Sequence, residues 1–331
     1  MNAENNRFQI LSLSGGGIKG LYTAEVLKHL EKNYSSKRIV DHFDLICGTS
    51  IGGIIALALA YGHSPKDLAE LLRKNGEVIF PKQNSVIAFC KQAFSSKHKV
   101  QPLKKLLTEI FEDATIKDLQ KPVLIPTINA TTGQARIFKN RYCQEYHRDQ
   151  DIRLVDVALA TSAAPGFLPA HEINSALYID GGLVANSPIL MGVHEARYKL
   201  DIKKQNIHVL SVGTMSSEYT LSNDPEKGSS YVKDWKMGAN LFELTIAANE
   251  KVHNFMVTNS LGASNVLFID KPPAREQASK LTLDNASPAA LNTLIACADQ
   301  STADIADPKS VDGNKIRNIF NHTAQCILIA N

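Results

Sequence analysis

Apolar and polar positions along this chain fall in blocks that switch between two periods. Residues 8–14 form a short apolar run of the kind that fills a buried strand. A glycine-rich turn follows, and then Leu21, Ala24, Val26, Leu27 and Leu30 recur at helical spacing. A second apolar run, 43–47, ends in Gly48-Thr49-Ser50-Ile51-Gly52 and passes into 53–59, which reads as a buried helix. Ser64, Pro65 and Asp67 mark another helix start, with an N-cap serine, proline at N1 and an acid at N3. Two strands are predicted over 123–128 and 135–138, around the turn Thr131-Thr132-Gly133. Beyond them the pattern predicts a helix over 154–160, a short strand over 176–179 and a helix opened by Pro188. A buried strand over 207–213, a polar loop over 222–230, a long helix over 234–260 and a strand over 266–269 follow. One helix capped by Ser287-Pro288 and another before the C-terminus complete the reading. Strands alternating with helices predict an α/β fold with a largely parallel sheet. No linker-like stretch divides residues 1–331, so a single domain is expected. The alternation does not fix strand order.

Composition narrows the class of protein. The 331 residues carry 36 basic and 33 acidic side chains, a formal charge of +3, and nothing in that balance points to a nucleic-acid polymer as partner. The polar residues 1–7 contain no apolar signal region, and the most apolar stretch, 51–61, is too short to span a bilayer. The five cysteines are odd in number and far apart and form no C-x-x-C, so neither a disulfide framework nor a zinc site is expected. A reducing cytoplasm fits best. No calcium loop of the D-x-[DN]-x-[DN]-G type is present, and no metal is expected.

Three motifs carry candidate chemistry. Gly48-Thr49-Ser50-Ile51-Gly52 is G-x-S-x-G in a strand–turn–helix context, the setting of a nucleophile elbow. Its glycines admit a sharp turn, and the following helix aims its N–H groups and positive dipole end at Ser50. Gly15-Gly16-Gly17-Ile18-Lys19-Gly20 formally matches the dinucleotide fingerprint, but that use needs an acid at the end of the second strand, where Gly48-Thr49-Ser50 stands instead. Its other uses are a tight turn or an oxyanion hole made of converging backbone N–H groups. For Ser50 the bland alternative is a structural turn serine. A hydrolytic serine usually pairs with a histidine, yet none of the ten histidines lies in a glycine-marked turn; His194 and His253 fall inside apparent helices and His208 inside a buried strand. Asp180, followed by Gly181 and Gly182, ends a strand where the backbone can bend toward a site, although Asp-Gly-Gly is also an ordinary turn signal.

Together the pieces resemble the patatin-like phospholipase family. Four blocks occur in that family's order over roughly residues 8–215: Leu13-Ser14-Gly15-Gly16-Gly17-Ile18-Lys19-Gly20; Phe43-Asp44-Leu45-Ile46-Cys47-Gly48-Thr49-Ser50-Ile51-Gly52-Gly53; Ala160-Thr161-Ser162-Ala163-Ala164-Pro165-Gly166-Phe167-Leu168-Pro169; and Tyr178-Ile179-Asp180-Gly181-Gly182-Leu183-Val184-Ala185-Asn186-Ser187-Pro188. The resemblance implies a three-layer patatin-like fold, with residues 216–331 completing the motif core. It also implies hydrolysis of lipid acyl esters by a Ser–Asp dyad without histidine or cofactor. Carried over by position, Ser50 is the nucleophile and Asp180 activates it, while Gly15, Gly16, Gly17, Ile18, Lys19 and Gly20 supply the oxyanion hole. An ordinary aspartate, with a pKa near 3.9, is a weak base for a serine, so a buried Asp180 within hydrogen-bond reach of Ser50 is expected.

Within the family, residues 8–17 and 20–24 resemble bacterial phospholipase effectors of cyclic-oligonucleotide antiphage signalling (CBASS). That resemblance implies activation by a cyclic dinucleotide acting as an allosteric ligand, and attack on membrane phospholipid at the inner membrane surface. A homo-oligomer is compatible with it. A constitutive lipase of the same family and an inactive lipid- or partner-binding module are the alternatives. The segment 82–105 holds six lysines and no acid among Val86, Ile87, Phe89 and Phe94. It reads either as a lid or membrane contact or as a solvated helix face.

Overall fold

The computed structural model describes residues 7–81, 96–215, 239–278, 280–307, 310–325 and 327–329. In chain order the elements are β1 (Phe8–Leu13), α1 (Gly20–Tyr34), β2 (Leu45–Gly48), α2 (Ile51–Tyr61), α3 (Pro65–Ile79), α4 (Gln101–Phe111), β3 (Val123–Asn129), β4 (Gln134–Lys139), α5 (Leu154–Thr161), β5 (His171–Ile173), β6 (Ala176–Asp180), α6 (Gly182–Ala185), α7 (Ile189–Tyr198), β7 (Ile207–Val212), α8 (Ala239–Leu261), β8 (Val266–Ile269), α9 (Arg275–Ala278), α10 (Pro288–Ala306) and α11 (Val311–Phe320). The strands form one sheet in the order β5-β6-β3-β2-β1-β7-β8, with β4 also pairing β3. The pairs from β3 through β2, β1 and β7 to β8 are parallel, and β4, β5 and β6 join antiparallel.

The parallel part of the sheet is buried on both faces, and its strands show why they read as continuous apolar runs. Leu11, Leu13, Ile46, Val123, Ile125, Leu210 and Val212 pack into one core with α1 to α5 and α10. The alternate residues Phe8, Ile10, Leu45, Cys47, Leu124, Ile207 and Val209 pack into a second core with α7 and the end of α8. Period-two alternation between two dry cores leaves no polar face to reveal the strand. The expected capping box at Ser64 and Asp67 is present, with both reciprocal bonds formed.

One feature of the sheet brings distant residues together. β4 occupies one edge of β3 along Leu124–Asn129. β2 pairs with β3 at Val123 and Leu124, and β6 pairs with it at Thr127, Ile128 and Asn129. Since β4 fills one edge, β2 and β6 share the other. They run in opposite senses along it, so their C-terminal ends face each other. β2 ends at Gly48, just before Ser50, and β6 ends at Asp180.

Candidate active site

The turn after β2 is sharp because two glycines permit it. A Cβ on Gly48 would stand 2.2 Å from the Gly52 carbonyl oxygen, and one on Gly52 would stand 2.3 Å from that of Leu13. Between them Ser50 adopts φ 55° and ψ −126°, a backbone state that costs a non-glycine residue on the order of 1–3 kcal/mol and is held by its surroundings. Those surroundings are specific. The Ser50 N–H donates to Thr161 Oγ1 at 3.1 Å, Thr161 Oγ1 donates to the Pro126 carbonyl at 2.6 Å, and Thr49 Oγ1 donates to the Ala185 carbonyl at 2.6 Å. Ile51 opens α2, whose next residues are buried.

Asp180 is held from the other side. Its N–H donates to the Ala163 carbonyl at 3.0 Å, and the Gly181 N–H donates to that of Thr161 at 3.4 Å. The block 160–169 thus brackets both turns. The carboxylate is buried and accepts the Gly182 N–H at 2.7 Å, and the Ser50 side chain is near enough to favour its ionised form. Burial pushes its pKa up to about 6, against the Gly182 N–H and the nearby Ser50 hydroxyl, which lower it.

The turn 15–20 lies beside them. A Cβ on Gly15 would stand 3.1 Å from Ser50 Cβ. Four of the six N–H groups in this turn are already engaged. Gly15 donates to the Asn186 carbonyl at 3.0 Å, Ile18 to that of Leu283 at 2.9 Å and Lys19 to that of Gly16 at 3.2 Å. The Gly20 N–H serves Gly17 and Ile18. Gly16 and Gly17 keep N–H groups with no acceptor among the described residues, and both line the cavity that holds Ser50. Lys19 lines an adjoining cavity with Thr214, Glu243 and Glu250. Burial lowers its pKa, against the raising influence of Asp270, Glu243 and Glu250.

Ser50 and Asp180 open onto a cavity. Its wall is almost wholly apolar: Ile54 and Ile55 from α2, Leu68 and Leu72 from α3, Leu103, Leu106, Leu107 and Ile110 from α4, Phe242 and Ile246 from α8, and Phe167. Among the described residues, no histidine lines it. His194 is exposed beside Tyr198, the His253 ring meets the Ser187 carbonyl at 3.2 Å, and the His208 pKa is lowered to about 4, first by burial and then by nearby Arg7. His98 lies near the cavity's rim, against Phe80, and is engaged by Asp284 at 2.8 Å.

A strained serine after a parallel strand, a buried carboxylate facing it and a glycine turn at its side agree with the match of residues 11–193 to the family model described as patatin-like phospholipase. The chain belongs to the patatin-like phospholipase family. By that membership it is a hydrolase of the phospholipase type. A cGAMP-activated phospholipase of Vibrio cholerae is 38% identical over 87% of this chain and 88% of its own length. A protein of the same description from Escherichia coli is 34% identical over 95% of this chain and 93% of its own. The solved structure of human GIVD cytosolic phospholipase A2 aligns at 11% identity over 97% of this chain and 60% of that one, with a TM-score of 0.44.

In this patatin-like phospholipase several residues near the site carry no motif-level signal. Thr161 and Asn186 lie in the recognised blocks, but nothing in the sequence shows that they bond the two turns. Thr214, Asn249 and Glu250 lie outside those blocks and reach the site only through the fold. Asn249 accepts the Asn186 N–H at 3.1 Å and donates to the Gly182 carbonyl at 2.8 Å. Residues 82–95, part of the lysine-rich segment, lie outside the described residues. Among the described residues no helix is long and apolar enough to cross a membrane.

Proposed function

We propose that this chain cleaves the acyl esters of membrane phospholipids through Ser50 and Asp180, under the control of a cyclic dinucleotide, at the cytoplasmic face of the inner membrane. The observation that carries the chemistry is the buried Asp180 carboxylate within reach of Ser50 at an apolar cavity without histidine. Burial makes Asp180 a stronger base than an exposed carboxylate, and with a pKa of about 6 it remains ionised at neutral pH. Asp180 takes the Ser50 proton as the oxygen attacks the ester carbonyl. The oxygen that gains charge meets the Gly16 and Gly17 N–H groups. Collapse breaks the ester C–O bond, and the proton held by Asp180 passes to the departing lysophospholipid oxygen. Water, deprotonated by Asp180, then hydrolyses the acyl-enzyme and restores Ser50. The apolar wall suits a fatty acyl chain, which gains roughly 0.8 kcal/mol for each methylene buried. No cofactor is required. Control by a nucleotide is supported by the relatives described as cGAMP-activated, which match this chain over most of its length.

Fatty-acid release from phospholipid vesicles by wild type and Ser50→Ala, with and without a panel of cyclic dinucleotides, tests both parts. Release that needs Ser50 and one nucleotide is the expected result. Ser50-dependent release without nucleotide would remove the control and leave a constitutive lipase, while equal release by Ser50→Ala would remove the dyad.

A further inference from the structure

The Gly15–Gly16 peptide faces two cavities. Gly16 and Asn186 border both the apolar cavity of Ser50 and the cavity behind the turn, to which Thr214 and Glu250 belong. On the polar side the Gly15 carbonyl accepts the Thr214 hydroxyl at 2.8 Å and Asn186 Nδ2 at 3.4 Å. All described peptides are trans, and in a trans peptide the C=O and the N–H point in opposite directions. Holding the Gly15 carbonyl toward Thr214 therefore aims the Gly16 N–H away from it, toward the cavity of Ser50.

The hold is rigid. Thr214 is 1% exposed and follows β7 by two residues. It presses against the turn so closely that a Cβ on Gly16 would stand 2.1 Å from its Oγ1. The preceding peptide is fixed as well, because the Gly15 N–H is bonded to the Asn186 carbonyl. Behind them the buried Glu250 carboxylate accepts Ser14 Oγ at 2.7 Å and Asn186 Nδ2 at 2.8 Å.

We propose that Thr214 is a positioning residue for acyl transfer, whose hydroxyl sets the direction of the Gly16 N–H toward the developing oxyanion. The proposal rests on the dyad reading given above. Thr214 touches neither substrate nor the reacting atoms; it acts through the peptide it holds. A donor aimed in advance needs no reorganisation as charge develops, so its loss falls on the chemical step and not on binding.

The test compares Thr214→Val, Thr214→Ser and Thr214→Ala with wild type and Ser50→Ala, each as the full chain, on a soluble short-chain ester and on vesicles with cyclic GMP–AMP. Thr214→Val keeps the shape and loses the hydroxyl, and it is expected to lower kcat about ten- to a hundredfold while KM stays within about twofold. Its rate of labelling by a fluorophosphonate should fall in parallel. Thr214→Ser keeps the hydroxyl and should retain most of kcat. If Thr214→Val does not fold, as judged by its melting transition, Thr214→Ser and Thr214→Ala differ by one oxygen atom and carry the same comparison. An unchanged kcat in Thr214→Val, equal losses in the serine and alanine variants, or a loss confined to KM would overturn the proposal. If Ser50→Ala is inactive and Thr214→Val is as active as wild type, only this inference falls. If Ser50→Ala remains active, the dyad reading falls with it.

Discussion

At the scale of single residues, Asp180 works against the fold that holds it. Its pKa of about 6 lies above the 3.8 of a free aspartate, so the folded chain binds that proton more tightly than the unfolded chain. Stability is therefore lost as pH rises from about 4 to about 6, and above that the ionised group costs about 3 kcal/mol, by the equivalence of one pKa unit to 1.36 kcal/mol. Asp180→Asn, neutral and nearly isosteric, should lower turnover at least a hundredfold yet raise the melting temperature at pH 7.5. That gain should vanish below about pH 4, and calorimetry at the two pH values checks it. In wild type, kcat/KM should rise with pH through about 6 as the base ionises; a flat profile between pH 5 and 7.5 would mean that Asp180 is not the base. Ser50 and Asp180 were legible in the sequence because each sits in a short motif set by its own backbone turn. Thr161, Thr214 and Glu250 were not, since a threonine hydroxyl or a buried glutamate has a partner only once strands and helices far apart in the chain have met. The glycine-rich turn was legible as a turn, but which of its N–H groups remained available depended on Asn186 and Leu283, and Lys19 lines the adjoining cavity.

At the scale of elements, the alternation of strands and helices gave the parallel sheet and nearly all its members, and it could not give strand order. Two runs of similar apolar character look alike whether they end side by side or head to head. The meeting of β2 and β6 along one edge of β3, which joins Ser50 to Asp180, depends on pairings that leave no trace in periodicity. β5, only three residues long, has no period to read in the sequence. The helix α4 was obscured by its lysines, although Leu103, Leu106, Leu107 and Ile110 follow helical spacing. These side chains, with Leu68 and Leu72 of α3, form one wall of the cavity, so they should set how long an acyl chain it accepts. Leu107 is fully buried at that wall. Leu107→Phe should lower kcat/KM for long-chain esters about tenfold while leaving two- to four-carbon esters within about twofold, because each displaced methylene loses its burial. A chain-length series would read this directly, and equal losses at all lengths would indicate a general disturbance of the fold.

At the scale of the whole molecule, the net charge of +3 is too small to draw the chain to an anionic surface by itself, so any electrostatic attraction must come from its distribution. α4 provides one. Its apolar side walls the acyl cavity, while Lys104 and Lys105, and Lys99 just before it, are exposed. Lys97 differs: it is paired with Asp284 at 2.6 Å and lies over the Phe167 ring. Most apolar residues of α4 are thus accounted for by the cavity, and the membrane contact that is one of the two readings of this segment reduces, among the described residues, to three lysines. Exposed charges act within about a Debye length, near 8 Å at physiological salt, so their attraction to an anionic bilayer should weaken steeply as salt is raised. Replacing Lys99, Lys104 and Lys105 together by glutamate should reduce binding to anionic vesicles about tenfold or more at low salt and remove most of its salt dependence. Hydrolysis of a soluble short-chain ester should stay within about twofold, because none of these lysines touches Ser50 or Asp180. Cosedimentation over a salt series, run beside the soluble assay, separates the two outcomes. Vesicle binding that ignores both salt and charge reversal would make the three lysines an ordinary solvated helix face, and would shift any membrane contact to a surface recognised by shape and apolar area.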